Sequence, residues 1–369
     1  YWVMAQLYQF NYKGNETKPC VPLITEKNME EAATKGCPRA TVQDIYTQIT
    51  TDLTSAIDLL AKSKVKRTDK RYISLAVAHG LSARVNLTMH EYGAAATAAD
   101  NAIKAATAEG LAPSSYAEAS KPNFWSSDEQ NWMWGIIVSE TDRVVTSGIV
   151  NWPSHMGSMN YGYANYSGGR QINKELYDAI PNSDARKGWW LGADLKSSNL
   201  TEDQQAMMTD YGYGAYTQVK FAPYKNELET SVNANDIPLM RIEEMYLIKA
   251  EGEAMSGQDG RTTLVNFVKK YRDPSYSPAG TDIQEEVFKQ RRIELWGEGL
   301  NWFDLMRLNK GVDRRGAGYP NSEMIFKIEP TDNVLLWPIP EVELQSNQAL
   351  SEADQNTPGS TPKPVADNK

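Results

Sequence analysis

A chain of 369 residues can bury a sizeable core and has room for one large domain or roughly two to three ordinary ones. Its 47 acidic against 38 basic residues leave a net charge of -9, which excludes nucleic acid as an expected partner, because phosphate binding needs clustered Lys and Arg that release counterions. Ten Trp and nineteen Tyr are more than a core requires, and these amphipathic rings are favoured at binding surfaces, so some are expected to face a ligand.

The opening YWVMAQLYQF has no initiating Met, basic leader or small-residue cleavage site, and does not read as a signal peptide. Trp2, Leu7 and Phe10 fit an amphipathic helix, and a further N-terminal segment is expected to precede it. No apolar run approaches the roughly 18 residues that span a bilayer; the longest, near Gly135 to Val138, is strand-length. Cys20 and Cys37 flank one loop. In an oxidising compartment they can pair, closing a loop worth about 3 kcal/mol, and in a reducing one they stay thiols; the sequence leaves both outcomes open.

From Thr41 to Leu60 the residues Val42, Ile45, Tyr46, Ile49, Leu53, Ile57 and Leu60 recur at helical spacing, with Thr41 and Asp44 placed like a capping box. Helices over about 73–89 and 92–106 follow, and Tyr92, Ala95 and Ala102 with Ala83 have the spacing of small and aromatic residues in a tetratricopeptide repeat. Over about 122–224 periodicity fades while Gly, Asn, Ser, Trp and Tyr accumulate, and twelve aromatics lie between Trp152 and Tyr224. So long an irregular insertion is usually functional. A further helix is predicted to start at Asn235, Asp236 and Pro238 and to carry Leu239, Ile242, Met245, Tyr246, Ala250 and Ala254. A partner over 264–271 follows, then a third helix from Thr281, with Gln284 in the capping-box position. The tail from Asn347, rich in Pro, Ser, Asn and Asp, reads as a wrapping or partly disordered end.

Catalytic signatures are sparse. A glycosidase needs two carboxylates flanking a sugar, and Glu294 and Glu298 lie four apart near Arg291; on one helix face they are better explained as partners of Arg291, Arg292 or Arg307, since buried charges must be paired. Glu243, Glu244, Glu251 and Glu253 read as solvated or paired with Arg241 and Lys249. Of the three histidines, His79 and His90 fit packing roles and only His155 falls within the aromatic insertion. No nucleophile-elbow, phosphate-loop, dinucleotide or EF-hand motif occurs, so no cofactor, metal or enzymatic activity is expected.

The strongest binding signal is SGIVNWPSHMGSMNYGYANYSGGRQ, residues 147–171. Sugars present apolar C–H faces rimmed by hydroxyls, so their sites combine flat rings with amide or guanidinium groups. Trp152, Tyr161, Tyr163 and Tyr166 supply rings; Asn151, Asn160, Asn165 and Arg170 supply polar groups; Gly157, Gly162, Gly168 and Gly169 allow bends. Packing of some of these rings onto the helices is the alternative. Trp125 and Trp189 are second-tier candidates, while Trp132 and Trp134 alternate as in a half-buried strand.

Several segments resemble one family. IPLMRIEEMYLIKAEGEA (237–254), FKQRRIELWGEGLNWFDLMRLNKG (288–311), WPIPEVELQSNQAL (337–350) and the closing Gln355, Asn356, Pro358 and Gly359 are similar to the C-terminal motifs of SusD/RagB proteins. VPLITE, PRATVQDIYTQITTDLTSAIDLL and the Ala-rich helices resemble that family's tetratricopeptide-like core, and 167–186 resembles the stretch before its D.R element. Gln290, where Glu is usual, and Thr262 or Thr263, where Ala is usual, depart from the pattern.

The resemblance implies a mainly α fold in which tetratricopeptide-like helix pairs form a curved scaffold with long irregular aromatic-rich loop insertions. A single SusD-like domain is expected over 1–369: helices over 1–121, a ligand-binding insertion over 122–234, C-terminal helix pairs over 235–311 and a closing segment over 312–369. It also implies a non-catalytic lipoprotein on the extracellular face of the outer membrane, anchored through lipid outside this chain. Such a protein binds oligosaccharide and delivers it to a TonB-dependent SusC-like transporter. The alternatives are a RagB-type peptide receptor and a tetratricopeptide protein-interaction scaffold.

Overall fold

The computed structural model describes residues 1–148, 150–278 and 280–368; Ile149, inside the 147–171 segment, lies outside the described residues. Helices take 45% of the chain, and among the described residues strands occur only as three two-stranded pairs, so the fold is mainly α. The chain forms two compact units, one of residues 1–62, 84–91 and 300–369 and one of residues 63–83 and 92–299.

In the first unit, α1 (Val42–Lys62) starts at the predicted capping box: the Asp44 amide donates to Thr41 Oγ1 at 3.1 Å and the Thr41 amide to the Asp44 carboxylate at 3.3 Å. Its buried Val42, Ile45, Tyr46 and Ile49 pack with Ala5, Tyr12, Val21 and Val85. Strands β1 (Pro19–Pro22) and β2 (Arg39–Thr41) pair antiparallel. Both cysteines are free thiols, Cys20 buried in this core and Cys37 half-exposed; burial pushes the Cys20 thiol up to about 11. The tail is better fastened than its composition implies. Arg39 donates to the Asp354 carbonyl and to Asn356 Oδ1, and Asn356 in turn donates to the Tyr8 and Trp337 carbonyls. The Trp337 ring itself is 54% exposed.

The helix α2 (Leu75–Thr88) has residues in both units, Ala83 being its last in the second. In the second unit α3 (Tyr92–Ala108), α5 (Gly260–Tyr271) and α6 (Ile283–Glu294) pack against α4 (Ile242–Met255). The small residues act as predicted: Ala95, Ala99 and Ala102 are fully buried, and a Cβ on Gly252 would meet the Tyr92 carbonyl at 2.6 Å, so α3 and α4 approach closely. Leu247, Ala250, Leu264, Phe267, Val268 and Val287 fill the space between α4, α5 and α6.

Two predicted helix starts move. Residues 237–241 form β4 (Ile237–Arg241), antiparallel to β3 (Trp132–Ile136), and the helix begins only at Ile242. The apolar spacing of Leu239 and Ile242 does not separate the two states, and the edge of β3 decides. Asp236 does not cap a helix there; its carboxylate accepts the Ser127 and Val138 amides. The cap of α6 is Asp282, accepting from the Glu285 amide, while Gln284 donates to Tyr92 Oη and Glu251.

The insertion is bound to these helices through a buried charge network. Arg186 bonds Asp184, Gln290 and Glu294; Arg241 bonds Glu243, Glu294 and Glu298; Arg272 bonds Glu243 and Glu294; and Lys220 bonds Glu298. The four cations balance Asp184, Glu243, Glu294 and Glu298, which offsets the desolvation each charge would otherwise carry. Burial disfavours the ionised Glu294, yet Arg272, Arg241 and Arg186 hold its carboxyl well below the ordinary value, while burial pulls Lys220 down to about 8. Glu294 and Glu298 are thus structural, as expected, but their partners differ from Arg291, Arg292 and Arg307 because the matching cations come from distant segments. Glu298 also lies beyond the end of α6; of the acids read as solvated or paired with Arg241 and Lys249, Glu243 pairs with Arg241 and Glu253 with Lys249, while Glu244 and Glu251 are buried.

Candidate functional site

The 147–171 segment is less irregular than its composition indicates, folding as two short helices, Trp152–Met156 and Tyr163–Ser167. Asn151 caps the first, its Oδ1 accepting the Ser154 amide at 3.0 Å, and its side-chain amide donates to the Val144 and Gly148 carbonyls. The second ends at Gly168 and Gly169, whose φ of +80° and +78° lie where a side chain would strain the backbone. This turn sends the chain to Arg170, which donates to Ser167 Oγ at 2.9 Å and keeps part of its surface in solvent.

The rings divide. Tyr161, Tyr163 and Tyr166 are 41%, 38% and 70% exposed, a concentration of surface aromatic area in one turn of chain. Tyr161 and Tyr166 meet edge to face at 5.9 Å with their hydroxyls 2.5 Å apart, and this contact raises the Tyr166 pKa. Tyr163 stacks on His155 at 4.6 Å and 8° between planes, which places the one histidine predicted near a ligand beside the exposed tyrosines. Asn165 is half-buried, donating to Tyr213 Oη at 3.0 Å and accepting the Gly162 amide. Trp152 is half-buried, its ring edge-on to Phe221 at 5.2 Å.

Two predicted residues sit elsewhere. Asn160 is buried and donates to Asn233 and the Pro153 carbonyl, so it ties the loop to residue 233 and offers no surface to a ligand. Trp189 is 2% exposed within the cluster of Phe124, Trp132, Trp190 and Phe221, its indole N–H donating to the Ala119 carbonyl at 2.7 Å. Its ring belongs to the core.

Trp125 is half-exposed and held by carboxylates. Glu129 accepts the Phe124 and Trp125 amides at 2.6 and 3.2 Å and the Trp132 indole N–H at 3.2 Å; burial pushes its carboxyl up to about 7. The Trp125 ring meets Tyr224 edge to face at 5.8 Å, and Tyr224 Oη donates to Glu140, which also pairs with Lys225 at 2.7 Å. Sequence reasoning passed over Tyr224, Glu140 and Lys225: Tyr224 stood in a count of aromatics, and no motif pairs residues 125 and 224. Among the described residues no group of three or more His, Cys, Asp and Glu could hold a metal ion, and no helix is long and apolar enough to cross a membrane.

Comparison with known proteins places this arrangement. The model of the SusD family matches residues 154–359, more than half of the chain. The chain belongs to the SusD family. A SusD-like protein of Formosa agariphila is 29% identical over 147 residues, a match taking in 37% of this chain and 27% of that relative's length. Among solved SusD folds, a SusD superfamily protein from Bacteroides vulgatus superposes with a TM-score of 0.74 at 21% identity, covering 98% of this chain and 75% of that one. Surface glycan-binding protein A from Bacteroides thetaiotaomicron, in complex with laminarihexaose, gives 0.56 at 17% identity over 86% and 71% of the two chains. A laminarin-binding SusD-like protein gives 0.58 at 21% identity over 93% and 74%. These likenesses establish the SusD fold for the chain.

Proposed function

We propose that this protein captures an oligosaccharide at the bacterial cell surface without cleaving it, and hands it to a TonB-dependent SusC-like transporter in the outer membrane, to which it is held by a lipid anchor. The observation that carries the reading is the turn exposing Tyr161, Tyr163 and Tyr166, backed by His155 and flanked by Asn165 and Arg170. Flat rings rimmed by hydroxyl, amide and guanidinium groups match the two kinds of surface on a sugar. The glycan ligands named for two proteins of the same fold point the same way. The candidate acid pair, Glu294 and Glu298, is spent on Arg186, Arg241, Arg272 and Lys220, which supports binding without hydrolysis.

The test is titration of the purified chain against arrayed glycans and peptides, with parallel assay for released reducing ends. One stacked ring contributes about 1 to 3 kcal/mol in the nucleic-acid analogue, or roughly 5- to 150-fold, so a Tyr161, Tyr163 and Tyr166 triple alanine variant should bind at least about 5-fold more weakly with its fold intact. No reducing ends should appear. Unchanged affinity moves the platform elsewhere; turnover lost in Glu294→Gln or Glu298→Gln makes the protein an enzyme; binding of peptides alone makes it a peptide receptor.

A further inference from the structure

Two turns far apart in sequence bring Trp125 and Tyr224 together, and both are built on backbone that side chains rarely adopt. Phe124, next to Trp125, has φ +69°, and Lys225 and Asn226, next to Tyr224, have φ +53° and +59°. A bulky residue with positive φ persists only where its surroundings over-determine it, and such residues gather at ligand sites. The surroundings here do so. Glu129 takes the amides of Phe124 and Trp125, Asp236 takes that of Ser127, and the Asp236 amide donates to the Trp125 carbonyl. The product of this scaffolding is a corner of two half-exposed rings, 5.8 Å apart and 86° between planes.

At its rim Glu140 and Lys225, each about half-exposed, lie 2.7 Å apart, and Tyr224 Oη reaches the same carboxylate. An exposed ion pair of this kind adds little stability, so it does not account for the strained turns. It does present an acceptor beside a donor, which fits adjacent ring hydroxyls, one donating and one accepting. With its charges balanced, the rim favours a neutral sugar over a uronate. The corner also connects to the tyrosine cluster: the Tyr161 amide donates to the Thr230 carbonyl and the Glu229 amide to the Met159 carbonyl, each at 2.9 Å. Residues 224 and 230 are six Cα steps apart, at most about 22 Å even if extended.

We infer that Trp125 and Tyr224, with Glu140 and Lys225 at the rim, form a second stacking station for a neutral sugar unit, so that the site takes an oligosaccharide along its length. The inference rests on the glycan-binding reading above and adds a length and a charge class to it.

The experiment is an array of neutral and uronate-containing oligosaccharides, disaccharides through octasaccharides, read with the full chain, with Trp125→Ala, with Tyr224→Ala and with a Glu140→Gln, Lys225→Met double variant that keeps both rings. Thermal melting of each variant checks folding. The parent should bind long members of a neutral series more tightly than short ones, and each ring variant should lose about tenfold on the long members, the contribution of one stacked ring, while binding short ones like the parent. The double variant should lose the preference among neutral long glycans with both rings in place. If the parent binds glycans but all three variants match it on every member, or uronate chains outbind neutral ones, the second station is wrong and the glycan reading stands. If the parent binds no glycan, the reading fails and the station with it.

Discussion

The buried charge network and the tyrosine turn belong to the same unit and draw on equally polar, ring-rich sequence, yet they use it in opposite ways. In the network every charge is withdrawn from water and paired with an opposite one, Glu294 with three guanidiniums. In the turn Tyr161, Tyr163 and Tyr166 remain 38 to 70% exposed and touch mainly one another and His155. The first arrangement fixes where the loops leave the helices; the second leaves surface uncommitted. Stability and binding should therefore be separable by mutation.

Arg241→Met tests the network end most severely, because it leaves four buried carboxylates, Asp184, Glu243, Glu294 and Glu298, facing only Arg186, Arg272 and Lys220. Breaking one partner of a buried ion pair costs about 3 to 5 kcal/mol, and denaturant unfolding should show a loss of that size; a loss near zero would mean that water replaces the arginine. Trp189→Ala comes next, at about 3 kcal/mol by the same measurement, as for a large ring removed from a core. If it instead changed glycan affinity with stability intact, the division of rings between core and surface would be misdrawn.

Glu129, which holds the Trp125 turn, sharpens the contrast. Its carboxyl titrates near 7 in the fold against an ordinary value of 4.5, so the folded state holds the proton more tightly. That contribution is present below about pH 4.5, is lost as the pH rises through about 7 and is constant above. Melting temperatures across this window should fall less with rising pH in Glu129→Gln than in the parent; parallel curves would show that the carboxyl is free to hydrate. The smallest expected effect is on the surface. Tyr166→Ala should shift stability by no more than about 0.5 kcal/mol in thermal melting, as for an exposed position, and a larger loss would draw that ring into the core.

Much of this was legible in the sequence. The face of α1, its capping box and the small residues of α3 follow from local spacing, which helices read directly. The concentration of rings in 147–171 was visible too. What the spacing could not tell was the fate of each ring: Trp189 and Tyr163 are equally aromatic, but one meets Phe124 and Trp132 and the other His155. Asn160 looked like a ligand amide and is a buried tie to Asn233. The start of α4 was missed for the same reason, since only the presence of β3 turns residues 237–241 into a strand. Partners of Glu294 were sought among neighbouring arginines, whereas tertiary contacts supply Arg186, Arg241 and Arg272.

The network has a consequence in time as well as in energy. Two of the partners of Arg186, Gln290 and Glu294, lie 104 and 108 residues further along, and those of Lys220 lie 74 to 78 further. Contacts of such sequence separation close late, because the loop entropy is lost before any bond rewards it. During synthesis the ring-bearing insertion leaves the ribosome well before α6 exists, with Arg186 matched only by Asp184 and with Lys220 hydrated and unmatched until residue 298 has emerged. A translational pause or truncation ahead of α6 would leave these aromatics exposed on an unanchored chain, the form most prone to aggregate.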